Sequence, residues 1–386
     1  MAATSAHLRF DLALSRTALL LALHAALLHH DCAARPTPSR VVLGRRQQID
    51  AVYNFGDSLS DTGNLLREVG AGSVVGSLPY GETLGEPTGR SSDGLLMIDY
   101  LANFLNLPYL PPYLDKSANL DHGANFAVAG ATALDRSFLL DRGINVTFTN
   151  SSLSIQLQWF KTHLSSLCAS KEEYCEEKLG RALFLVGEIG GNDYNYGLWY
   201  HNAIQEMKAY VPLVVGRIVD AVKVLIDLGA AHLIVPGNFP IGCHPSYLTQ
   251  FEGANYDLDQ NNCIEDLNEF CRFHNDQLQG AVDSLRRDHP RVTIEYADYY
   301  NVFLSLLTGA DKNGFDQDSL LKACCGIGGA HNYDPSRTCG SRGVPTCTDP
   351  AKFISWDGLH LTQAAYKDLA TQLFGDYLLR GKDVAA

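Results

Sequence analysis

Two short stretches carry residue types that could do chemistry together. Early in the chain stands Asn54-Phe55-Gly56-Asp57-Ser58-Leu59-Ser60-Asp61-Thr62-Gly63-Asn64, directly behind the apolar run Ala51-Val52-Tyr53. Near the far end stands Ser355-Trp356-Asp357-Gly358-Leu359-His360. The bland account of the first stretch is a surface turn, since Asp, Ser, Gly and Asn are what turns are made of. Half of an aspartic-protease dyad would need a second Asp-Thr/Ser-Gly triplet to share a proton with Asp61, and the chain has none. A calcium loop would need alternating oxygen ligands, which Leu59 interrupts.

A nucleophilic Ser58 has the fuller chemical logic. A serine hydroxyl is inert at neutral pH unless a base takes its proton, and that base must be oriented. Asp357 lies three residues before His360, so in a loop or first helical turn its carboxylate can meet Nδ1 and leave Nε2 facing outward. Asp-x-x-His is a weak signal alone. The other histidines are solitary: His232 sits inside an apolar run and reads as core, while His244 and His274 have no such partner.

Acyl chemistry also needs donors where negative charge develops on a carbonyl oxygen. Gly130, in Ala129-Gly130-Ala131, can bring a backbone N–H close because it has no Cβ. Asn192, in Gly190-Gly191-Asn192-Asp193, offers an uncharged side-chain amide. Either site alone is more simply a strand-end turn. Ser58, Gly130 and Asn192 each fall just past a different predicted strand, at the edge where open α/β sheets gather ligands. The lipase-type Gly-x-Ser-x-Gly elbow is not matched by Gly56-Asp57-Ser58-Leu59-Ser60, which excludes an ordinary α/β-hydrolase.

The elements that must position these residues alternate. Candidate strands are 51–55, 124–129, 182–187, 231–235 and 292–297. Candidate helices are 92–106 (capped by Ser92), 153–167, 203–228 (stopped by Gly229), 264–285 and 362–379. Short, continuously apolar strands between helices predict a mostly parallel sheet covered on both faces. No composition break marks a second domain. Residues 1–34 read as a secretory signal: Arg9 and Arg16, the apolar Thr17 to Leu28, then the small residues Cys32-Ala33-Ala34. That apolar stretch is shorter than the roughly 20 residues a bilayer span requires. Residues 35–48 are a polar, Pro/Arg-marked lead-in, and 49–386 form the single domain.

The bulk numbers exclude some classes. A formal charge of −13 without a basic cluster argues against nucleic-acid binding. Of ten cysteines, losing Cys32 with the signal leaves nine, so at least one thiol is free or pairs outside the chain. An oxidising compartment makes disulfides the expectation, with Cys168 and Cys175 the easiest local pair. Zinc held by Cys324, Cys325, Cys339 and Cys347 is disfavoured, because the adjacent pair lacks the gap of structural zinc sites. No metal or cofactor is expected. The sequons at Asn145 and Asn150 are candidate N-glycosylation sites and suit a secreted route.

Four ordered blocks carry a family resemblance: Gly56-Asp57-Ser58-Leu59, then Gly130 within Asn125-Phe126-Ala127-Val128-Ala129-Gly130-Ala131, then Gly190-Gly191-Asn192-Asp193, then Asp357-Gly358-Leu359-His360. The chain resembles the plant GDSL esterase/lipases, a branch of the SGNH hydrolases, over roughly Val52 to Leu379, and Lys322-Ala323-Cys324-Cys325-Gly326 is typical of that branch. The resemblance implies a flavodoxin-like three-layer α/β/α sandwich. It implies Ser58 as nucleophile, His360 as general base and acid, and Asp357 as its orienter. The oxyanion donors it implies are the backbone N–H groups of Ser58 and Gly130 and the side-chain amide of Asn192.

The implied reaction is acyl transfer to water in the secretory pathway, either outside the cell, in the wall, or in the Golgi lumen. The favoured substrate is a short acyl, chiefly acetyl, ester of a cell-wall polysaccharide such as xylan. Tyr194, Tyr196, Trp199 and Tyr200 are offered for stacking on sugar faces or, equally, as core residues. The Gly/Pro-rich loop 70–91 is a candidate cleft wall. An acyltransferase, a lipid or small-metabolite esterase on the same triad, and a non-catalytic carbohydrate-binding protein stay open as alternatives. Oligomeric state is left open.

Overall fold

The β-strands are short and almost wholly buried, as strands covered on both faces must be. In the computed structural model the described residues are 48–382, apart from 146–147, 169–171, 201–202 and 255. The predicted signal and nearly all of the lead-in lie outside them. β1 (Ala51–Phe55), β2 (Gly123–Asn125), β3 (Ala182–Val186), β4 (His232–Pro236) and β5 (Thr293–Ala297) form one sheet. Its order is β2-β1-β3-β4-β5 and every pairing is parallel. That is the flavodoxin-like order, with its switch point between β1 and β3, where open α/β sheets bind their ligands.

Alternation along the strands sorts the two covering layers. Ala51, Tyr53 and Phe55 of β1 face a core built with α2 (Leu153–Cys168), α3 (Ile204–Asp227) and α4 (Glu265–Asp288). Val52 of β1, Leu183 and Leu185 of β3 and Ile234 of β4 face the other core, built with α1 (Met97–Phe104), α5 (Tyr299–Thr308) and α6 (Gln363–Lys382). The three-layer α/β/α expectation holds.

Two of the expected elements differ in extent. The predicted second strand, 124–129, is regular only over Gly123–Asn125. Beyond Asn125 the chain still leans on β1 through Phe126 N–H to Asn54 O (2.7 Å) and Val128 N–H to Gly56 O (3.2 Å), then swings away to present Gly130. The helix expected from Ser92 begins at Met97. Ser92 Oγ donates instead to Leu361 O (2.9 Å), and Asp99 caps the helix by accepting from Leu96 N–H (2.9 Å). Arg90 locks that buried Asp99 with a bidentate pair at 2.8 and 2.7 Å. α5 was not anticipated. Among the described residues no helix is long and apolar enough to cross a membrane.

Among the described residues four disulfides form, Cys168–Cys175, Cys243–Cys263, Cys324–Cys347 and Cys325–Cys339. Among the described residues Cys271 is a free, buried thiol, and burial pushes it up to about 12. The pairing of Cys324 and Cys325 with different partners staples the segment 324–347 into a small satellite core with Val75, Tyr80 and Trp356.

Candidate active site

Ser58 lies in the turn that leaves β1, and this turn is held by its own polar residues. Asp61 Oδ1 accepts from the N–H groups of Gly63 (2.7 Å) and Asn64 (2.6 Å), and Oδ2 from Leu65 N–H (3.0 Å). The same Oδ2 accepts from Ala129 N–H at 2.8 Å, tying the Ser58 turn to the Gly130 turn. Asp193 ties the third turn in turn, accepting from Ala133 N–H (2.8 Å) and Leu134 N–H (2.9 Å). Gln156 brackets Gly56, meeting its N–H at 2.9 Å and its carbonyl at 2.8 Å. A buried carboxylate is tolerated when backbone donors satisfy it, and here those donors come from neighbouring turns. Burial still raises both acids, Asp193 to about 7.

The distant Asp357-x-x-His360 segment closes onto Ser58. His360 Nδ1 is 2.7 Å from Asp357 Oδ2, and Nε2 is 2.8 Å from Ser58 Oγ. Burial alone would raise the Asp357 carboxyl, but the charge and hydrogen bonds of His360 hold it well below the usual carboxylate range. An ionised carboxylate only accepts, so Nδ1 carries the ring proton and Nε2 accepts from the Ser58 hydroxyl. Burial opposes the imidazolium of His360, yet the Asp357 charge and hydrogen bond, joined by the Asp57 charge, lift it above the ordinary value.

Gly130, Asn192, Ser58, Asp357 and His360 all line one pocket of about 480 Å³. Gly130 takes a φ of 82°, and its carbonyl accepts from Tyr196 Oη at 2.8 Å. A Cβ there would meet Phe148 Cβ at 2.7 Å and Tyr196 Oη at 2.9 Å, which explains the glycine. Asn192 Nδ2 donates to Asp57 Oδ2 (2.9 Å) and to Ala131 O (3.0 Å). Loop 70–91 supplies a wall, with Val74, Val75 and Tyr80 on the pocket. An adjoining cavity of about 50 Å³ shares Ser58, Asn192 and His360 and is walled by Phe239, Ile241 and His244.

The aromatic cluster after Asn192 divides. Tyr196 and Trp199 line the pocket. Tyr194 is core, with its hydroxyl 2.8 Å from His274 Nδ1, and Tyr200 is half exposed, donating to Asn145 O at 2.9 Å. His232 is buried in β4 as expected. His244 is not solitary: it borders the small cavity beside His360 and stacks on Phe303, and burial pushes it down to about 4. Both Asn145 and Asn150 are exposed; Arg136 donates to their side-chain carbonyls, and Val146-Thr147 lie outside the described residues.

Sequence reasoning missed Tyr80, Asp57 and Glu188. Burial raises Asp57 to about 6, against the Leu59 N–H and the charge of His360, and Glu188 is pushed well above its usual range by burial and by Asp57, with which it is hydrogen-bonded. The proximity of Glu188 to Asn192 in Gly187-Glu188-Ile189-Gly190-Gly191-Asn192 was the available signal. Tyr80 had none.

Residues 52–373 match the GDSL-like lipase/acylhydrolase family. The chain belongs to that family. This GDSL hydrolase is 47% identical to acetylajmalan esterase 1 of Rauvolfia serpentina over 85% of its own length and 86% of the relative's. It is 49% identical to a second Rauvolfia serpentina protein, acetylajmalan esterase, over 83% of this chain and 84% of the other. Sinapine esterase of Brassica napus is 47% identical, with 83% and 84% covered. A solved phospholipase A1 from Streptomyces albidoflavus NA297 overlays at 14% identity and a TM-score of 0.35, covering 87% of this chain and 99% of that one, too loose a match to weigh. The GDSL hydrolase is a carboxylic ester hydrolase.

Proposed function

We propose that this esterase works through Ser58, His360 and Asp357 and removes short acyl groups from a compact, largely apolar alcohol. The supporting observation is the unbroken line from Asp357 Oδ2 through His360 to Ser58 Oγ, at 2.7 and 2.8 Å. Ser58 Oγ attacks the ester carbonyl as Nε2 takes its proton; the imidazolium, held by Asp357, returns that proton to the leaving alcohol. Water then repeats the cycle on the acyl-serine. The N–H groups of Ser58 and Gly130 and the Asn192 amide receive the oxyanion.

The two cavities divide the substrate. The larger is lined by Leu65, Val74, Phe148, Tyr196, Trp199 and Tyr333, a surface suited to rings and alkyl groups, and its volume is that of a small-molecule site. The cavity of about 50 Å³ is much the smaller of the two and suits a short acyl group. Among the relatives' names, acetylajmalan esterase specifies an acetyl ester and sinapine esterase does not name a polysaccharide. Acetylated xylan is the second reading; Tyr196 and Trp199 in the wall favour it as sugar-stacking faces. Four disulfides suit the oxidising secretory pathway, where secretion to the wall or retention in the Golgi lumen would meet either substrate.

A fluorophosphonate probe is expected to label the wild type and not Ser58→Ala. Acetate release is then compared across acetylated small ring alcohols, acetylated xylan and p-nitrophenyl esters of graded chain length. Turnover retained by Ser58→Ala removes the nucleophile assignment. Preference for xylan over every small acetate replaces the compact-alcohol reading with the polysaccharide one.

A further inference from the structure

Asp357 receives four hydrogen bonds, and only three come from its own loop. Oδ1 accepts from Leu359 N–H (3.0 Å) and His360 N–H (2.7 Å), and Oδ2 accepts from His360 Nδ1–H (2.7 Å). The fourth donor is the hydroxyl of Tyr80, 2.8 Å from Oδ2, reaching in from the loop that walls the pocket.

This contact is built rather than incidental. Tyr80 is 5% exposed, and its ring stands edge-on to Trp356, the residue before Asp357, at 6.2 Å. The loop around it is stitched to the chain just beyond His360. Gly81 N–H donates to Ser92 O (3.0 Å), and Ser92 Oγ to Leu361 O (2.9 Å). Gln363 N–H donates to Asp93 Oδ1 (2.7 Å), and Leu95 N–H to Gln363 Oε1 (2.8 Å). The Tyr80 hydroxyl therefore approaches Asp357 on a frame anchored to the same segment that carries His360. Burial and the neighbouring Asp357 charge raise the phenol well above its ordinary range, so it stays a donor at every working pH.

We infer that Tyr80 is a positioning residue for the Asp357–His360 pair: its hydroxyl, donated to the same Oδ2 that receives the ring proton, fixes the rotation of the carboxylate and draws part of its charge away from His360. This rests on the triad reading given above. A carboxylate that shares its charge with a second donor stabilises the imidazolium less. Removing the hydroxyl concentrates that charge on Nδ1–H, so the imidazolium becomes harder to deprotonate. The titratable groups that face His360 are Asp357, Asp57, His244, Glu188 across the small cavity and Tyr333 across the large one; of these, Tyr80→Phe changes the hydrogen bonding of Asp357 alone.

The test is Tyr80→Phe in the full chain, which keeps the ring against Trp356. Expected are a roughly tenfold fall in kcat with KM nearly unchanged, an acid limb of kcat/KM moved up by about half a pH unit, and a shifted low-field Nδ1–H resonance of His360. A 3-fluorotyrosine at position 80, a stronger donor of nearly the same shape, is expected to move the limb the opposite way, and reads the same contact should Tyr80→Phe fold poorly. A limb and resonance identical to wild type overturn the inference, even if kcat falls, since lost packing alone would leave them in place. Ser58→Ala run alongside separates the two levels: full turnover there sinks the triad reading, whereas a dead Ser58→Ala beside a wild-type Tyr80→Phe profile sinks only the role of Tyr80.

Discussion

Asn192 Nδ2 stands 2.9 Å from Asp57 Oδ2, so the amide expected to face an oxyanion is held from behind by a buried carboxylate. With Ala131 O as its other acceptor, both amide protons have protein partners in the resting enzyme. In the proposed mechanism the proton aimed at Asp57 is shared with the substrate oxygen as charge develops. Asn192→Ala is expected to lower kcat by about 10²–10³, the usual effect of deleting an oxyanion donor, with KM little changed. Asp57→Ala is expected to cost less, about tenfold, because the donor survives but loses its backing. Steady-state kinetics on a p-nitrophenyl acetate series decides both, and an Asn192→Ala enzyme within twofold of wild type would remove the amide from the mechanism.

The pH profile follows from His360. Its raised value means that the base form needed to accept the Ser58 proton is populated only above the ordinary imidazole value of 6.5, so the acid limb of kcat/KM is expected above that pH. The same pair stabilises the fold over a defined window. Asp357 is lowered, so its contribution is present above its ordinary 3.8 and lost as pH falls through the folded value. His360 is raised, so its contribution is present below 6.5 and lost as pH rises through the folded value. Asp357→Asn should therefore lower Tm more at pH 5 than at pH 9, measured by calorimetry.

Gly130→Ala places a methyl group where φ is 82° and where Phe148 and Tyr196 already sit. A left-handed residue with a Cβ costs roughly 1–2 kcal/mol, and the crowding adds to it. Activity should fall by at least an order of magnitude from the displaced peptide, with Tm lowered by several degrees.

Acyl length is expected to respond at Ile241, on the wall of the small cavity. Ile241→Ala should raise the ratio of butyrate to acetate ester turnover by about tenfold, since a pocket discriminates one or two methylenes by roughly 1–3 kcal/mol. An unchanged ratio would put the acyl group in the larger pocket instead.

The segment bearing Tyr333, Thr338 and Cys339 borders the substrate pocket and is closed by Cys325–Cys339 over a separation of 14 residues. Replacing both cysteines by serine is expected to cost about 3 kcal/mol of stability and to raise KM, read by chemical denaturation and by saturation kinetics. Native Cys271 should resist iodoacetamide, because it is buried and its thiol is pushed up to about 12.

Much of this was legible along the chain. β1, β3, β4 and β5 were readable to within a residue or two because buried parallel strands are continuous apolar runs, and the end of α3 because Gly229 marks it. β2 is shorter than the sequence suggests: residues 126–129 are as apolar as a strand and still bond to β1 at Phe126 and Val128, yet the regular ladder ends at Asn125 and the chain reaches the pocket only at Ala129. Ser92 looked like a helix cap since nothing local shows that its hydroxyl is taken by Leu361, far off in sequence. Tyr194 and Tyr196 are the same residue type; which one lines the pocket depends on the turn of the helix Gly191–Trp199 against its neighbours.

By itself the sequence determined the kind of reactive groups present, their order and the parallel α/β layering, because these follow from residue chemistry and local periodicity. Only the tertiary structure decided that Asp61 and Asp193 lace three turns together, that Asp57 backs Asn192, that Tyr80 meets Asp357, and which aromatics reach the pocket. Each of those is a contact between segments far apart in the chain, set by how the crossovers fold back on the sheet, and no local pattern encodes it.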